Sequence, residues 1–308
     1  GLNAADCLYD LGVRDIAIVT EGMNRGTSRN TGSDKQTYYK ISTGGDVPDS
    51  PVEMAKDLVK GGAMHGDIAL TEAACSFRCF SKLIDLGVPF PHNEYGEYVG
   101  YKTDHDPKAR ATSAGPLTSR YMTEALERSV RLKNIPVIDN VLITGIITTG
   151  EEEKECIGLV GVDLTVSEGI SEQLVLFNCT NVIFATGGPA GMYRDSVYPE
   201  SQVGSNGIAF EAGVRGMNVI ESQYGIASVK FRWNLSGSYQ QVIPRYVSTD
   251  REGNDPTEFL TPYFDSPGKL LTAVFLKGYQ WPFDPRKIKG QKSSFIDLLV
   301  YNEIYNKG

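Results

Sequence analysis

The opening segment, GLNAADCLYDLGVRDIAIVTEG, constrains the fold more than any other stretch of the chain. Leu2, Ala5, Leu8 and Leu11 fall at helical spacing, and Gly12 is a natural C-terminal stop. Ile16 to Val19 is a short apolar run of the kind that forms a buried parallel strand. Glu21 and Gly22 follow at once. Helix, tight turn, strand and acid in this order match the second half of a dinucleotide-binding βαβ unit. There the acidic side chain accepts a hydrogen bond from an adenosine ribose about 20 residues past the glycine turn. Gly1 stands where the last glycine of G-x-G-x-x-G would be. The first strand and the first two glycines are not in the sequence, so the chain reads as cut into the motif. The alternative is an ordinary helix–strand pair of an α/β protein with a charged strand end.

A chain of 308 residues is long enough for about two domains, each with its own core. The net charge of -8 argues against nucleic acid as a partner, because phosphate binding needs a basic footprint. It leaves room for a small anionic substrate, which needs only a local cluster of Arg or Lys. No apolar run approaches the roughly 18 residues of a membrane span. The five cysteines, Cys7, Cys75, Cys79, Cys156 and Cys179, are odd in number and lack paired C-x-x-C spacing. Disulfide frameworks and zinc sites are therefore disfavoured, no metal site is expected, and reduced thiols of a cytoplasmic protein are the better reading. Cys75 and Cys79 sit one helical turn apart, which reads as core packing, with a redox pair as the alternative.

Residues 22–49 are rich in Gly, Ser, Thr, Asn and Asp and predict a long irregular loop, a kind of segment that is usually functional. Asp49 or Ser50 should cap a helix with Pro51 at its first position. A second helix is expected over about Asp67 to Leu86, ending at Gly87, and a hairpin around Tyr95 to Tyr101. A third helix should run from about Leu117 to Lys133, with Tyr121, Ala125, Leu126 and Val130 on one face. Strands are expected at Val137–Ile138, Val141–Thr148, Ile157–Thr165 and Gln173–Asn178, the Glu-rich TTGEEEKE forming an exposed tip. NVIFATGG, from Asn181 to Gly188, reads as a buried strand, and a helix follows near Gly207 to Ala212. After about Gly216 the chain turns rich in aromatics, Asn and Pro. No sustained period is visible there until Ser293–Asn306, and a domain boundary falls near Glu221.

Three features coincide in order: the helix–strand–Glu21 unit, the loop Gly26-Thr-Ser-Arg-Asn-Thr-Gly-Ser33, and a strand ending Ala185-Thr186-Gly187-Gly188 before GMYRDSVYPESQVGSNGIAFEAG. This set resembles the FAD flavoproteins of the fumarate reductase and succinate dehydrogenase type, over about residues 1 to 225. The resemblance implies an α/β fold: a Rossmann-like FAD-binding domain with an added β-meander over residues 1–220, and the start of an α+β capping domain over 221–308. It also implies roles. Gly1 closes the pyrophosphate turn and Glu21, followed by Gly22, holds the ribose. Ser28, Asn30, Thr31, Gly32 and Ser33 approach the flavin, and Lys35 places positive charge near it. Val141 and Leu142 offer their backbone to the adenine, and Ala185, Thr186 and Gly187 let the main chain run close to the cofactor.

The reaction implied is hydride transfer between the flavin and a small polar, often carboxylated, substrate. The family also admits a separate electron-donor or iron–sulfur subunit; this chain has no cysteine cluster to carry such a centre itself. Two departures from the family are plain. ESQYGIASVKFRWN lacks the His-Pro-Thr expected after Glu221, and VIPRYVSTDREGND replaces Arg-Gly-Glu-Gly-Gly. The three histidines, His65, His92 and His105, lie elsewhere. The chain is thus a divergent branch. Its substrate-side candidates are Arg232 and Arg245, with Lys230 and Tyr224 nearby in sequence, and Thr118 with Thr112 and Ser113. Two other readings stay open: a non-catalytic fragment or subunit that cannot hold FAD alone, since the chain ends abruptly on a helix, and an NAD-dependent α/β dehydrogenase. The latter is disfavoured by the long loop after Glu21.

Overall fold

A computed structural model describes residues 1–32, 36–44, 48–60, 62, 64–103, 106–167, 169–189, 193–194, 202, 204–219, 237–280 and 283–307. Helix α1 (Leu2–Asp10) ends where expected. Gly12, at φ +92°, turns the chain left-handed, and its N–H and that of Val13 cap the carbonyls of Tyr9 and Leu8. Ala5 is buried, whereas Leu11 is 77% exposed, so the apolar face stops one turn short. Strand β1 covers only Ile18–Val19 of the expected Ile16–Val19.

The loop after β1 is not wholly irregular. It holds a short helix, α2 (Thr27–Asn30), and a two-residue strand, β2 (Tyr38–Tyr39). Helix α3 (Pro51–Val59) is capped by Ser50, whose Oγ accepts from the Glu53 N–H at 3.2 Å. Asp49, the other cap candidate, is engaged elsewhere. Helix α4 (Gly66–Asp85) starts at His65, whose Nδ1 accepts from the Asp67 N–H, and gives way to Gly87 at φ +87°. Ala69, Ala73, Ser76, Phe80 and Leu83 form its buried stripe. Cys75 and Cys79 lie off that stripe, Cys75 exposed and Cys79 half-buried, so core packing does not account for Cys75.

The hairpin expected at Tyr95 to Tyr101 is instead a turn built on Asn93. The Asn93 Oδ1 accepts from the Tyr95 and Glu97 N–H groups at 3.0 and 2.9 Å. A side chain has taken the bonds a ladder would have used; pairing survives as a single bridge between Tyr101 and Ala111. Strand β3 (Ala111–Thr112) pairs antiparallel with β2. Helix α5 (Thr118–Leu132) buries Ala125, Leu126 and Val130 as expected and leaves Tyr121 at the surface. Strand β4 (Val137–Ile138) then runs parallel to β1, Ile18 opposite Val137.

Two of the three buried clusters among the described residues of this half set α1, α4 and α5. Ala5, Val130 and Ile135, with Ile18 and Val137 against them, seat α1 and α5 on the parallel pair. Phe80, Leu83, Val88, Phe90, Ala125 and Leu126 join α4 to α5, the Phe80 and Phe90 rings 4.7 Å apart.

Strands β5 (Val141–Thr149) and β6 (Glu155–Asp163) come next, then a one-turn helix α6 (Ile170–Gln173) and β7 (Leu174–Asn178). They form an antiparallel meander in the order β5-β6-β7. At Gly158 a Cβ would stand 2.4 Å from the Phe177 carbonyl oxygen, so that close approach demands glycine. NVIFATGG is a correction to the sequence reading. Residues 181–188 form no strand, and Ile183 and Phe184 are exposed. A strand buried on both faces needs neighbours to complete its ladder, and no described strand lies beside this segment.

Helix α7 (Asn206–Glu211) matches the helix expected near Gly207. Glu221, the expected domain boundary, lies outside the described residues. A short pair, β8 (Val247–Ser248) and β9 (Thr257–Glu258), precedes helix α8 (Pro267–Tyr279), which the sequence reading did not foresee. Its buried face, Ala273, Val274, Lys277 and Gly278, has helical spacing but includes a lysine, while Leu271, Phe275 and Tyr279 are exposed, so no clean apolar stripe shows in the sequence. Helix α9 (Ser293–Tyr305) packs Ile296 and Leu299 against Ala273, Val274, Phe259 and Leu260. Among the described residues no helix is long and apolar enough to cross a membrane.

Candidate functional site

The first turn of α1 leaves backbone N–H groups without helical partners, as every helix start does. Gly1 is the residue before that turn, and a Cβ on it would sit 3.9 Å from the Ala185 Cβ. The two ends of the sequence motif, 184 residues apart in numbering, are therefore neighbours. Ala185, Thr186 and Gly187 are exposed, and Gly187 takes φ +90°.

The end of β1 forms the second edge. The Val141 N–H donates to the Thr20 carbonyl at 3.0 Å, so the buried start of β5 lies against the residue before Glu21. Leu142, next along β5, is half-buried and opposite Val162. The Gly22 N–H donates to Thr20 Oγ1 at 3.2 Å. Glu21 forms an ion pair with Arg25, which is itself mostly exposed. Asp139, one residue past β4, accepts from the Met23 N–H at 2.9 Å and anchors the start of the loop. The sequence reading passed over Asp139; an acid followed by Asn140 at a strand end was the available signal.

The third edge is the Gly26–Gly32 loop. Arg29 ties α2 to α5 through Glu127 at 2.7 Å and Thr123 at 3.1 Å. Ser28 and Asn30 are exposed; the Asn30 amide donates to the Asn24 and Gly26 carbonyls. Thr31 Oγ1 donates to the Thr27 carbonyl at 2.7 Å. A Cβ at Gly32 would stand 3.2 Å from Leu117 Cδ2 and 3.3 Å from the Pro116 oxygen, which puts the loop against the start of α5. Ser33, Lys35 and His105 lie outside the described residues. Gln202, not foreseen, links two edges. It accepts from Thr27 Oγ1, and its Nε2 would be 3.4 Å from a Cβ at Gly188.

Thr118 belongs to this neighbourhood through Gly32 and Leu117. It is buried, donates to the Gly115 carbonyl at 2.6 Å and accepts from the Ala114 N–H at 2.9 Å, closing the Ser113–Thr118 turn. Arg245 is elsewhere, two residues before β8, 78% exposed and ion-paired with Glu258. Arg232, Lys230 and Tyr224 lie outside the described residues. Among the described residues no group of three or more His, Cys, Asp or Glu is placed to hold a metal ion.

The residues that converge are small where the main chain must approach a ligand, at 1, 185, 187 and 32, and polar around it. Ser119 Oγ in the first turn of α5 and Asn206 Oδ1 at the start of α7 are buried without a hydrogen-bond partner. Small residues at a helix start, an acid at the end of β1 and spare polar atoms fit an extended dinucleotide cofactor.

Comparison with known proteins agrees. A family model described as FAD binding domain matches residues 1–241. A search of curated proteins finds no match. Solved structures share the fold at low identity. The chain is 20% identical to a chain of the Mycobacterium smegmatis Sdh1 complex, with a TM-score of 0.59 over 69% of this chain and 36% of that one. It is 18% identical to E. coli quinol fumarate reductase FrdA, with a TM-score of 0.57 over 92% and 50% of the two chains. A flavocytochrome c3 fumarate reductase in an open conformation gives 13%, 0.59, 97% and 58% in the same order. The chain spans well under two thirds of the length of these relatives.

Fold and site together define an FAD-binding flavoprotein. The chain belongs to the FAD binding domain family, and FAD is its cofactor.

Proposed function

We propose that this chain is the FAD-holding part of an oxidoreductase that moves hydride between the flavin and a small polar substrate bearing a carboxylate. In this reading residues 1–220 are a Rossmann-like FAD-binding domain with an added meander, and 221–308 begin a capping domain. The observation that supports it is the approach of Gly1 to Ala185, together with the junction of Thr20 with Val141.

FAD, when bound, supplies the two-electron chemistry. The first turn of α1 directs its N–H groups and partial positive charge at the pyrophosphate. Glu21 accepts from the ribose hydroxyls, and the Val141–Leu142 backbone lies beside the adenine. Ser28, Asn30, Thr31, Gly32 and Ser33 hold the flavin side, and Ala185 to Gly187 keep the main chain close. On the substrate side Arg232 and Arg245 offer bidentate guanidinium forks to a carboxylate. The Arg245–Glu258 pair is solvent-exposed and so worth only about 0–1 kcal/mol, which lets a substrate carboxylate replace Glu258. Thr118 positions the turn that closes the polar edge. Electrons reach the flavin from a separate donor, an iron–sulfur subunit being the type that fits a chain with no such cluster of its own. The five free thiols suit a reducing, cytoplasmic setting.

The test is the visible absorption spectrum of the purified protein before and after incubation with FAD. Flavin bands that survive gel filtration are expected. A colourless protein that takes up no FAD overturns the reading. Re-oxidation of the reduced, loaded protein by a panel of unsaturated carboxylic acids then names the substrate.

A further inference from the structure

Helices α1 and α4 meet at a cysteine and a lysine. Cys7, on the second turn of α1, is free and half-buried. Its thiol donates to Asn3 Oδ1 at 3.8 Å and accepts from Lys82 Nζ, near the end of α4, at 3.1 Å. A sulfur lone pair therefore already faces the nitrogen. Lys82 is 23% exposed and also ion-paired with Asp6 Oδ2 at 2.5 Å. Asp6 has other partners: Lys133 reaches its Oδ1 at 2.8 Å, and Ser129 Oγ donates to the same oxygen at 2.5 Å. Neither Cys7 nor Lys82 is sealed off from a solute as small as peroxide.

We infer that Cys7 and Lys82 are the two ends of an oxidative cross-link, a sulfenamide that ties α1 to α4 when the protein meets hydrogen peroxide. The Cys7 sulfur attacks a peroxide oxygen. An S–O bond forms, the O–O bond breaks, and the departing hydroxide leaves as water with the thiol's proton. Cys7 is then a sulfenic acid, a group that condenses with a neighbouring nitrogen. Asp6 takes one proton from the Lys82 ammonium, and the freed nitrogen lone pair attacks the sulfenic sulfur. The S–N bond forms, the S–O bond breaks, and hydroxide leaves as a second water with another nitrogen proton. Sulfur loses two electrons, peroxide gains them, and Asp6 finally releases one proton to water. The competing thiol is Cys79, one turn before Lys82 on α4. Burial first pushes it above its ordinary value, which leaves less thiolate to attack peroxide or the sulfenic acid. In the linked form Asp6 keeps Lys133 and Ser129, so the seat of α1 on α5 stays while its contact with α4 becomes covalent.

The test is peroxide treatment of the whole chain, then thiol alkylation and tryptic mapping. Trypsin does not cut after a lysine whose nitrogen is bonded to sulfur. The expected product joins Gly1–Arg14 to Cys79–Lys102, uncut at Lys82, lighter than the two peptides together by two hydrogens and separated by dithiothreitol. A disulfide between Cys7 and Cys79 would leave Lys82 open to cleavage, and that product overturns the inference. Cys79→Ser should form the link as the parent does; its loss in that variant overturns the inference too. Lys82→Arg keeps a cation beside Asp6 and should leave circular dichroism unchanged. It should form no link and leave a sulfenic acid on Cys7 that dimedone labels more heavily than in the parent. Labelling no heavier than the parent's overturns the inference. So does sulfinic acid on Cys7 with Lys82 cut, or a Cys7 that peroxide leaves unchanged.

Discussion

Arg110 and Asp49 form a two-pronged ion pair in the interior. Nε and Nη2 of the guanidinium reach the two carboxylate oxygens at 2.7 and 2.8 Å, and both side chains are fully buried. Asp57 at 2.8 Å and the Tyr39 hydroxyl at 3.2 Å take further N–H groups. This knot holds Asp49, two residues before α3, against the β2–β3 pair, which leaves Ser50 to cap that helix.

Removing one partner leaves the other charge buried and alone. Arg110→Met should therefore destabilise the protein by about 3–5 kcal/mol, read as a shift in the urea midpoint. A loss no larger than that of a surface Arg→Met control would show that the knot carries no stability.

The same knot sets an acid limit. Burial alone would raise the Asp49 carboxyl, but hydrogen bonds from Arg110 and from the Ser42 and Ser50 N–H groups outweigh it and hold it below the ordinary carboxylate range. A depressed folded-state value gives stability that is fully present above the ordinary value. It is lost as pH falls through the folded-state value. Urea midpoints should hold steady at mildly acidic pH and drop below about pH 4. In Asp49→Asn that component of the drop should vanish; an unaltered acid limb would remove Asp49 from the account.

Glu21→Ala should weaken FAD binding by about 1.5–3 kcal/mol, the worth of a hydrogen bond to a charged group, measured by titration of flavin fluorescence. Arg25→Ala is the control. It frees Glu21 from its ion pair, so it should leave affinity unchanged or raise it. Equal losses in both variants would point to loop folding and not to ribose recognition.

Ala185→Leu should lower the FAD retained per chain with little change in the urea midpoint. Ala185 is exposed to solvent, so a longer side chain meets the Gly1 neighbourhood, where the proposed cofactor would lie, and not the core. Full retention would place the cofactor elsewhere.

Lys277 and Asp297 join α8 to α9 in a second buried ion pair. Lys277→Met alone should cost about 3–5 kcal/mol, and adding Asp297→Leu should restore most of it, because an apolar pair of similar size needs no partner. A double variant less stable than the single one would contradict this.

What could be read from the sequence follows a physical divide. The ends of α1, α3 and α4 were legible because Gly12, Ser50 with Pro51, and Gly87 act locally. The meander was legible because its strands alternate and its tips are acidic. Residues 181–188 looked like a strand because their composition suits one, but pairing depends on neighbours that composition does not reveal. Helix α8 was hidden because its buried face carries a lysine and its exposed face aromatics, and burying Lys277 required Asp297, 20 positions away. The neighbourhood of Gly1, Glu21, the Gly26 loop and Ala185 was legible as an ordered set of motifs. Its couplings through Gln202 and Asp139 were not, because single polar residues carry no periodic signal.

The parallel pairing of Ile18 with Val137 has a kinetic consequence. Helix α1 has its core partners, Val130, Ile135 and Val137, on the far side of more than a hundred residues of chain. Alone it is nine residues long, too short to persist in water. It must therefore wait for α5 and β4, and the entropy of that large loop closure sets the pace. The Gly1–Ala185 neighbourhood is thus completed late in folding, so newly made chains should acquire hydrogen-exchange protection in α5 before they do in α1.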